Sequence, residues 1–151
     1  MNPEENLKKL NINLPKAPDP VGAYVASKIV GNLVFISGQL PINYEGKLLR
    51  GKIGKAFNLE QGQEAAKFCA LNLLAQAKKI CGNLGKIKSC VKITGYVNSI
   101  DTFVDQPKVI NGASDLISMI FGDKGKHTRA AVSVNSLPLG AAVEIEGIFE
   151  I

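Results

Sequence analysis

The sequence HTRAAVSVNSLPLGAAVEIEGIFEI, which runs from His127 to Ile151, decides the expected fold. Polar and apolar residues alternate on both sides of a loop over residues 135–140, and this pattern is typical of two β-strands. If the two strands pair as a hairpin, Arg129 shares one face of the sheet with Glu144 and Glu146, because alternate side chains of a strand point the same way. A guanidinium and a carboxylate on the wall of a cleft would hold an anionic substrate and move a proton.

The rest of the chain divides into strands and helices by the same reasoning. Two alternating runs separated only by Gly31 and Asn32 predict a tight hairpin, and a helical periodicity that stops at Gly82 predicts a long helix. The expected elements are strands over 24–30, 33–39 and 48–53, a helix over 59–81, a strand over 87–97 and a helix over 108–121. With the two final strands, this order predicts an α+β sandwich: a six-stranded mixed sheet with both helices on one face, each linking strands as a right-handed crossover.

Length and composition predict one domain, residues 1–151, large enough to bury a core. Residues 1–20 form an N-terminal extension, in which Asn2 and Pro3 suit the start of a short helix and the proline-rich LPKAPDP suits an extended connector. The chain has no apolar run of the roughly 20 residues that a membrane helix needs, and no apolar region typical of a secretory signal. Three cysteines without a CxxC pair indicate reduced thiols. We therefore expect a cytoplasmic protein with no membrane partner.

The charge of the chain is positive, with a formal net charge of +5 and a sequence pI of about 9.1. No arginine-rich arm, zinc-finger spacing or pair of surface aromatics accompanies it, so nucleic acid is not the expected partner. The single histidine, His127, has no second histidine for a metal site or a His-based nucleophile system. The pattern GxxxxGK occurs at residues 46–52, but Ile53 stands where a phosphate-binding loop needs Ser or Thr. No metal site and no phosphate-binding loop are therefore expected.

Five segments of the chain resemble the YjgF/RidA family, in its longer form with an N-terminal extension. They are PVGAYV (20–25), GNLVFISGQLP (31–41), AAKFCALNLLAQ (65–76), VKITGYV (91–97) and TRAAVSVNSLPLGAAVEIEGI (128–148). The resemblance implies a chorismate-mutase-like fold and a homotrimer with a central barrel-like core and clefts at the subunit interfaces. It also implies cofactor-free hydrolysis of reactive 2-imino acids, the tautomers of enamines such as 2-aminoacrylate, to 2-keto acids and ammonia.

Two residues carry the chemistry that the resemblance implies. Arg129 matches the arginine that grips the substrate carboxylate, a task that suits a planar guanidinium with two parallel hydrogen bonds. The alternative is a surface arginine paired with Glu146. Glu144 matches the glutamate that positions the attacking water and moves a proton to the departing amine, and Glu146 competes for this role.

Five further residues are expected to contact the substrate. Gly38 matches a position whose backbone N–H faces the carboxylate, since glycine permits a close approach, and Ser37 flanks it. Tyr24 matches a tyrosine that reaches the cleft from a neighbouring subunit. Ser114 is a candidate from the second helix, although local turn chemistry explains it equally well. Ala131 stands where many family members have a cysteine, so its backbone contact survives and any thiol chemistry does not.

Two other functions stay open at this point. One is a regulatory module that binds small carboxylates at trimer clefts without turnover; Arg129 then matters for affinity and Glu144 does not. The other is RNA cleavage or translation inhibition, which older names of the family imply and which only the basic pI favours here. The expected partners are a small 2-imino or 2-keto acid and further copies of the same chain.

Overall fold

The fold is built on a five-stranded mixed sheet. The computed structural model describes residues 2–151. Its strands are β1 (Ser27–Val30), β2 (Leu33–Gln39), β3 (Ser89–Asn98), β4 (Thr128–Val134) and β5 (Val143–Glu150). They lie in the order β1-β2-β5-β3-β4, and neighbouring strands are antiparallel except for β3 and β4, which are parallel. The mixed α+β sheet is confirmed, but the expected number of six strands is wrong.

The segment expected to be a third strand, residues 48–53, forms no strand. It makes only isolated bridges, at Leu48, Arg50 and Ile53. Gly51 lies among them with a φ of 137°, a conformation that glycine adopts readily and that interrupts a regular extended backbone. Alternation alone does not reveal this interruption, which removes one strand from the sheet.

Two long helices pack on one face of the sheet. They are α2 (Leu59–Cys81), which contacts β2 and β5, and α3 (Gln106–Phe121), which contacts β3 and β4. Asn58 begins α2 with a capping box, in which its side chain accepts from the Gln61 N–H and the Gln61 side chain accepts from the Asn58 N–H. The core between these helices and the sheet is apolar. No helix formed by residues 2–151 is long and apolar enough to cross a membrane.

The N-terminal extension begins with a short helix, α1 (Pro3–Lys9). Asn2 caps it as expected, because its side chain accepts a hydrogen bond from a backbone N–H of the first turn. The buried side chain of Asn6 donates to the carbonyl oxygen of Ile120 at 2.7 Å. The extension is therefore tied to the C-terminal end of α3.

All three cysteines pack in the interior. Cys69, Cys81 and Cys90 are buried, and none of them forms a disulfide. Burial raises the pKa of the Cys69 thiol well above its usual range. Their burial among apolar side chains gives these cysteines a packing role.

The last two strands do not form the expected hairpin, because β3 lies between them. Arg129 on β4 pairs with Ile93 of β3, whose side chain is fully buried under the helices. Glu144 on β5 pairs with Tyr96 of β3. Ile93 and Tyr96 are three positions apart on one strand, so their side chains lie on opposite faces of the sheet. The expectation that Arg129 and Glu144 share a face is therefore wrong.

The physical reason is that alternation identifies the two faces of a strand but not its partner. A parallel pair needs a long crossover connection, and α3 provides it between β3 and β4. The short loop before β5 returns the chain to the far side of β3 instead of to β4.

Candidate functional site

The first half of the candidate site surrounds Arg129 on the helix side of the sheet. The side chain is partly buried, and its Nη1 donates to Asn111 Oδ1 at 2.8 Å and to Ser114 Oγ at 3.1 Å. Its Nη2 donates to the carbonyl oxygen of Pro107 at 3.3 Å. All three acceptors belong to α3, so this helix holds the guanidinium beside the edge strand β4.

Arg129 keeps donors that the described chain does not use. A guanidinium carries five N–H donors, and three of them go to α3. The Nε–H and one N–H of Nη2 have no partner among residues 2–151, and no ion pair of those residues includes Arg129. The alternative of a surface pair with Glu146 is therefore wrong. The two remaining N–H groups are available to a ligand carboxylate.

Ser114 connects Arg129 to the single histidine of the chain. Its Oγ lies 2.9 Å from Nε2 of His127, and Nδ1 of His127 lies 2.6 Å from the carbonyl oxygen of Gly125. The sequence analysis missed the contact because Ser114 on α3 and His127, just before β4, are 13 residues apart, a separation that no spacing rule covers. In the part of the chain that the structure describes, no group of His, Cys, Asp or Glu side chains could hold a metal ion.

The second half of the candidate site is a cavity of about 100 Å³ where β2 ends. Residues 18–20 of the N-terminal connector and the adjacent Val21 line it together with Tyr24, Gly38, Leu40 and Glu144. Three residues expected to form the substrate site, Tyr24, Gly38 and Glu144, thus line one cavity of one chain.

A bulge in β2 brings Gly38 against Glu144. The register between β2 and β5 shifts between Ile36 and Gln39, as expected for a bulge near the strand end. A Cβ at position 38 would overlap the carboxylate of Glu144. Glycine is therefore required here for this carboxylate to keep its position.

Glu144 presents an unpartnered carboxylate to the cavity. It is half-buried and makes no hydrogen bond or ion pair with residues 2–151. Burial raises the pKa of Glu144 above its usual range, and the negative charge of Glu146 raises it further. A carboxylate shifted in this direction is suited to accept a proton from water and to return it.

Glu146, the competing glutamate, has a different environment. Its side chain is exposed, and its Oε1 accepts a hydrogen bond from the Tyr96 hydroxyl at 2.7 Å. This hydrogen bond, with a smaller contribution from burial, raises the pKa of Tyr96 to about 12. Because Glu146 already has a hydrogen-bond partner and Glu144 has none in the described part of the chain, Glu144 is the stronger candidate for positioning a water molecule.

Ser37 lies on a larger cavity of about 430 Å³ on the face of the sheet that the helices leave open. Tyr24 and Glu146 line the same cavity. The Ser37 hydroxyl donates to the carbonyl oxygen of Val25 at 2.8 Å. Ser37 thus holds the segment that carries Tyr24.

Gln76 is a residue of the small cavity whose role the sequence analysis missed. Its side chain is 1% exposed, and its Nε2 donates to the carbonyl oxygen of Pro18 at 2.6 Å. The same Nε2 lies 3.4 Å from Oε1 of Gln39. A glutamine at a buried position of α2 was the available signal, because a buried amide needs hydrogen-bond partners. Gln76 fastens the connector to the wall of the cavity.

The comparison with known proteins identifies the family. Residues 4–149 match the family described as "YjgF/chorismate mutase-like, putative endoribonuclease". This chain belongs to the YjgF/RidA family.

Similar proteins match almost the whole chain. Protein TCP17 of Trypanosoma cruzi is 42% identical over 147 residues, which are 97% of this chain and 92% of TCP17. The crystal structure of Atu1372 from Agrobacterium tumefaciens is 45% identical with a TM-score of 0.91, and the match covers 99% of this chain and 92% of that one. A 2-iminobutanoate/2-iminopropanoate deaminase of Dermatophagoides farinae is 28% identical over 138 residues, 91% of this chain and 92% of the deaminase.

Ala131 lies where many YjgF/RidA proteins are expected to have a cysteine. It pairs with Gly95 of β3 and packs against the core on the same face as Arg129. Its backbone therefore stays next to the arginine on β4. None of the three cysteines lies on β4, so no thiol replaces the expected one.

The YjgF/RidA fold of this chain keeps the two halves of the candidate site apart. Arg129 is on the helix side at the edge strand β4, and Glu144 is on the opposite face beside the bulge of β2. Within one copy of the chain the guanidinium and the carboxylate do not meet. Each half has unused hydrogen-bonding capacity that a second copy or a ligand could satisfy.

Proposed function

We propose that this protein hydrolyses small 2-imino acids to 2-keto acids and ammonia without a cofactor, at sites completed between copies of the chain. The observation that carries the proposal is the contrast of two charges: an anchored guanidinium with free donors at Arg129, and an unpartnered carboxylate of raised pKa at Glu144. The 28% identity to a 2-iminobutanoate/2-iminopropanoate deaminase supports this class of substrate.

Substrate binding rests on the donors that remain on Arg129. Its Nε–H and its second Nη2–H donate to the substrate carboxylate, while α3 keeps the guanidinium oriented. The backbone N–H of Gly38 approaches the same carboxylate, because no side chain at this position stands in the way. The cavity of about 100 Å³ beside Gly38 supports a substrate with a short side chain.

The reaction needs a water molecule and a carboxylate that exchanges protons. Glu144 accepts a proton from water as the oxygen adds to C2 of the protonated imine, which forms a C–O bond and turns the C=N double bond into a single bond. Glu144 then returns this proton to the amino group of the carbinolamine. As the C–N bond breaks and the C=O bond forms, Glu144 takes the hydroxyl proton and passes it to the departing ammonia. The products are a 2-keto acid and ammonium, and the carboxylate is regenerated.

The site is completed in a homotrimer, in which Arg129 of one copy faces the Glu144 cavity of the next. Two features support self-association. Among the strands that the structure describes, β4 pairs only with β3, so its other edge is open. The open sheet face also exposes large apolar side chains, with Phe35 at 42% and Val132 at 45%. A solution mass three times the chain mass of 16.1 kDa is expected; sedimentation that gives a stable monomer would contradict it.

The activity is tested by coupling an L-amino-acid oxidase to the protein and following the decay of the imine formed from alanine or 2-aminobutyrate. We expect decay to accelerate with wild-type protein and to return to the uncatalysed rate with Arg129→Ala. Arg50→Ala is the matched control, because Arg50 is the only other arginine and is exposed. Equal, slow decay with wild type and Arg129→Ala would remove the proposed activity.

Mixed trimers test the shared site directly. Arg129→Ala and Glu144→Gln chains, each inactive alone, are co-expressed in equal amounts with different tags. A site that takes its arginine and glutamate from neighbouring copies is intact once in every mixed trimer, so about a quarter of the wild-type activity returns. If both residues act within one copy, the mixture stays inactive.

The second candidate is a module that binds small carboxylates without turnover. The donors that Arg129 keeps free favour it, since they bind a carboxylate whether or not Glu144 acts. Glu144→Gln separates the two candidates. If the protein is a hydrolase, this change lowers kcat by about 10²–10³ and leaves the affinity for 2-ketobutyrate nearly unchanged; if it is a binding module, wild type binds 2-ketobutyrate and accelerates no imine decay.

A further inference from the structure

When the His127 ring is neutral, the contacts between Arg129, Ser114 and His127 form a chain of hydrogen bonds with only one consistent direction. The carbonyl oxygen of Gly125 has no proton, so Nδ1 of His127, 2.6 Å away, must be the donor. In the neutral ring, Nε2 is then an acceptor. The hydroxyl of Ser114, 2.9 Å from Nε2, must donate to it.

The direction of the Ser114 hydroxyl decides what it offers to Arg129. With its proton directed at His127, the Ser114 oxygen turns its lone pairs toward Nη1 of Arg129, which lies 3.1 Å away. Asn111 accepts the other N–H of the same nitrogen at 2.8 Å. Nη1 is thus fully satisfied by α3, and the guanidinium can rotate only by breaking bonds to Ser114 and Asn111.

We propose that Ser114 and His127 are positioning residues, which act as a relay from the Gly125 carbonyl to Arg129 and hold its free Nε–H and Nη2–H toward the substrate carboxylate. The consequence for ligand binding rests on the proposed function. The relay itself stands on the three distances and on the proton inventory of the groups. Hydrogen bonds in series also polarise one another, which strengthens the contact to the guanidinium.

A nucleophilic role for Ser114 is not supported by the same geometry. Although Ser114 and His127 are paired, the serine oxygen also accepts a hydrogen bond from a cation, which withdraws its electron density. Ser114 and His127 act on the substrate through Arg129.

Nuclear magnetic resonance can detect the hydrogen bonds of the relay without any substrate. His127 is the only histidine and Arg129 one of two arginines, so ¹⁵N spectra of each type are simple to assign. We expect the wild-type ring to be the Nδ1–H tautomer. The Nε–H signal of Arg129 should be sharp in wild type and broadened in Ser114→Ala, where Nη1 loses one acceptor.

Four variants test the effect of the relay on ligand binding. Ser114→Ala removes the hydroxyl, and Ser114→Thr restores it. His127→Asn keeps an amide near the Gly125 carbonyl and removes the acceptor for Ser114. Ser118→Ala, on an exposed turn of the same helix, is the matched control.

Ser114→Ala and His127→Asn should raise KM and the Kd for 2-ketobutyrate by about tenfold. They should change kcat by less than about threefold, because the carboxylate contact is made equally in ground and transition states. Ser114→Thr and Ser118→Ala should resemble wild type. A role confined to stability would lower Tm without this split between KM and kcat.

Several results would overturn the relay. They are a wild-type ring with Nε2 protonated, a Ser114→Ala protein with wild-type KM and Kd, and a Ser114→Thr protein as impaired as Ser114→Ala. Failure of the proposed function is distinguishable: wild type then neither hydrolyses imines nor binds 2-ketobutyrate, while the tautomer and the Arg129 Nε–H signal still decide whether the relay exists.

Discussion

The two halves of the candidate site differ in how firmly the protein holds their charged groups. On the helix side, Arg129 has three hydrogen bonds to α3 and is held in one orientation. On the open side, Glu144 has no hydrogen-bond or ion-pair partner among residues 2–151 and is half-buried, so its charged form is less stable than in water. One charge is held in place and the other is left reactive.

The difference shows what each charge would contribute to hydrolysis. A carboxylate-binding cation gains from a fixed orientation, because its hydrogen bonds are directional. A carboxylate that exchanges protons gains from an environment in which both protonation states are accessible. Changes on the Arg129 side should therefore act mainly on binding, and changes on the Glu144 side mainly on turnover and on the response to pH.

The largest effect is expected from Arg129→Lys, which keeps the positive charge and removes the planar guanidinium with its parallel N–H donors. A lysine ammonium cannot keep the contacts to α3 and present two parallel donors at the same time. We expect kcat/KM for imine hydrolysis to fall by about 10²–10³. Arg50→Lys is the control, and wild-type kinetics for Arg129→Lys would show that charge alone is sufficient.

Gly38→Ala should disrupt the half of the candidate site that contains Glu144. The new Cβ overlaps the Glu144 carboxylate and moves it from the position in which it meets water. A displacement of about 1 Å lowers the rate by roughly a hundredfold, and the loss should appear in kcat. Gly31→Ala is the control. Gly31 has a φ of 61°, which disfavours alanine, but a Cβ there would meet open space. This variant should therefore lose stability and keep its kcat. If the two variants have equal kcat, the clash has no role in catalysis.

Glu144→Gln should change stability in a pH-dependent way. The pKa of Glu144 is raised in the folded protein, mainly by burial. Its ionisation therefore costs stability, a cost that is absent below the unfolded pKa and fully present above the folded pKa. Replacement by glutamine should stabilise the protein at pH 7 by less than about 1 kcal/mol, because water still screens half of the side chain, and should have no effect near pH 3.5. Urea unfolding at both pH values measures this, and a stabilisation that is larger at low pH would contradict the sign.

Tyr96→Phe should have the smallest effect. The pKa of Tyr96 is raised to about 12, first by its hydrogen bond to Glu146, so the bond is fully present below the unfolded pKa near 10 and is lost as the pH rises through about 12. Its removal at pH 7 should cost about 0.5 kcal/mol or less, since the pair is exposed. Turnover should not change. Tyr44→Phe is the control, and a large loss of kcat in Tyr96→Phe would assign Glu146 a part in the chemistry.

Much of the fold was predictable from local signals. The bounds expected for α2 and for β2, 59–81 and 33–39, match the structure, because each has strong periodicity and a clear terminator such as Gly82. Prediction from local pattern failed where contacts between distant residues determine the structure. Residues 48–53 alternate like a strand and form only bridges, and β4 and β5 are adjacent in sequence and separated in the sheet.

The candidate site divides in the same way. Arg129, Gly38 and Glu144 could be selected from residue type and family resemblance. The contacts that give them their properties join distant segments: Ser114 with His127, Gln76 with Pro18, and α3 with Arg129. No pattern along the chain encodes these pairs.

The sequence by itself determined most of the strands and helices, the apolar residues that form the core, and the candidate side chains for chemistry, because these properties belong to single residues and their near neighbours. Only the tertiary structure decided that β3 lies between the last two strands. That strand order puts Arg129 and Glu144 on opposite faces of the sheet. Strand order depends on which sheet edge and which crossover bury the most apolar surface, and this comparison involves the whole chain.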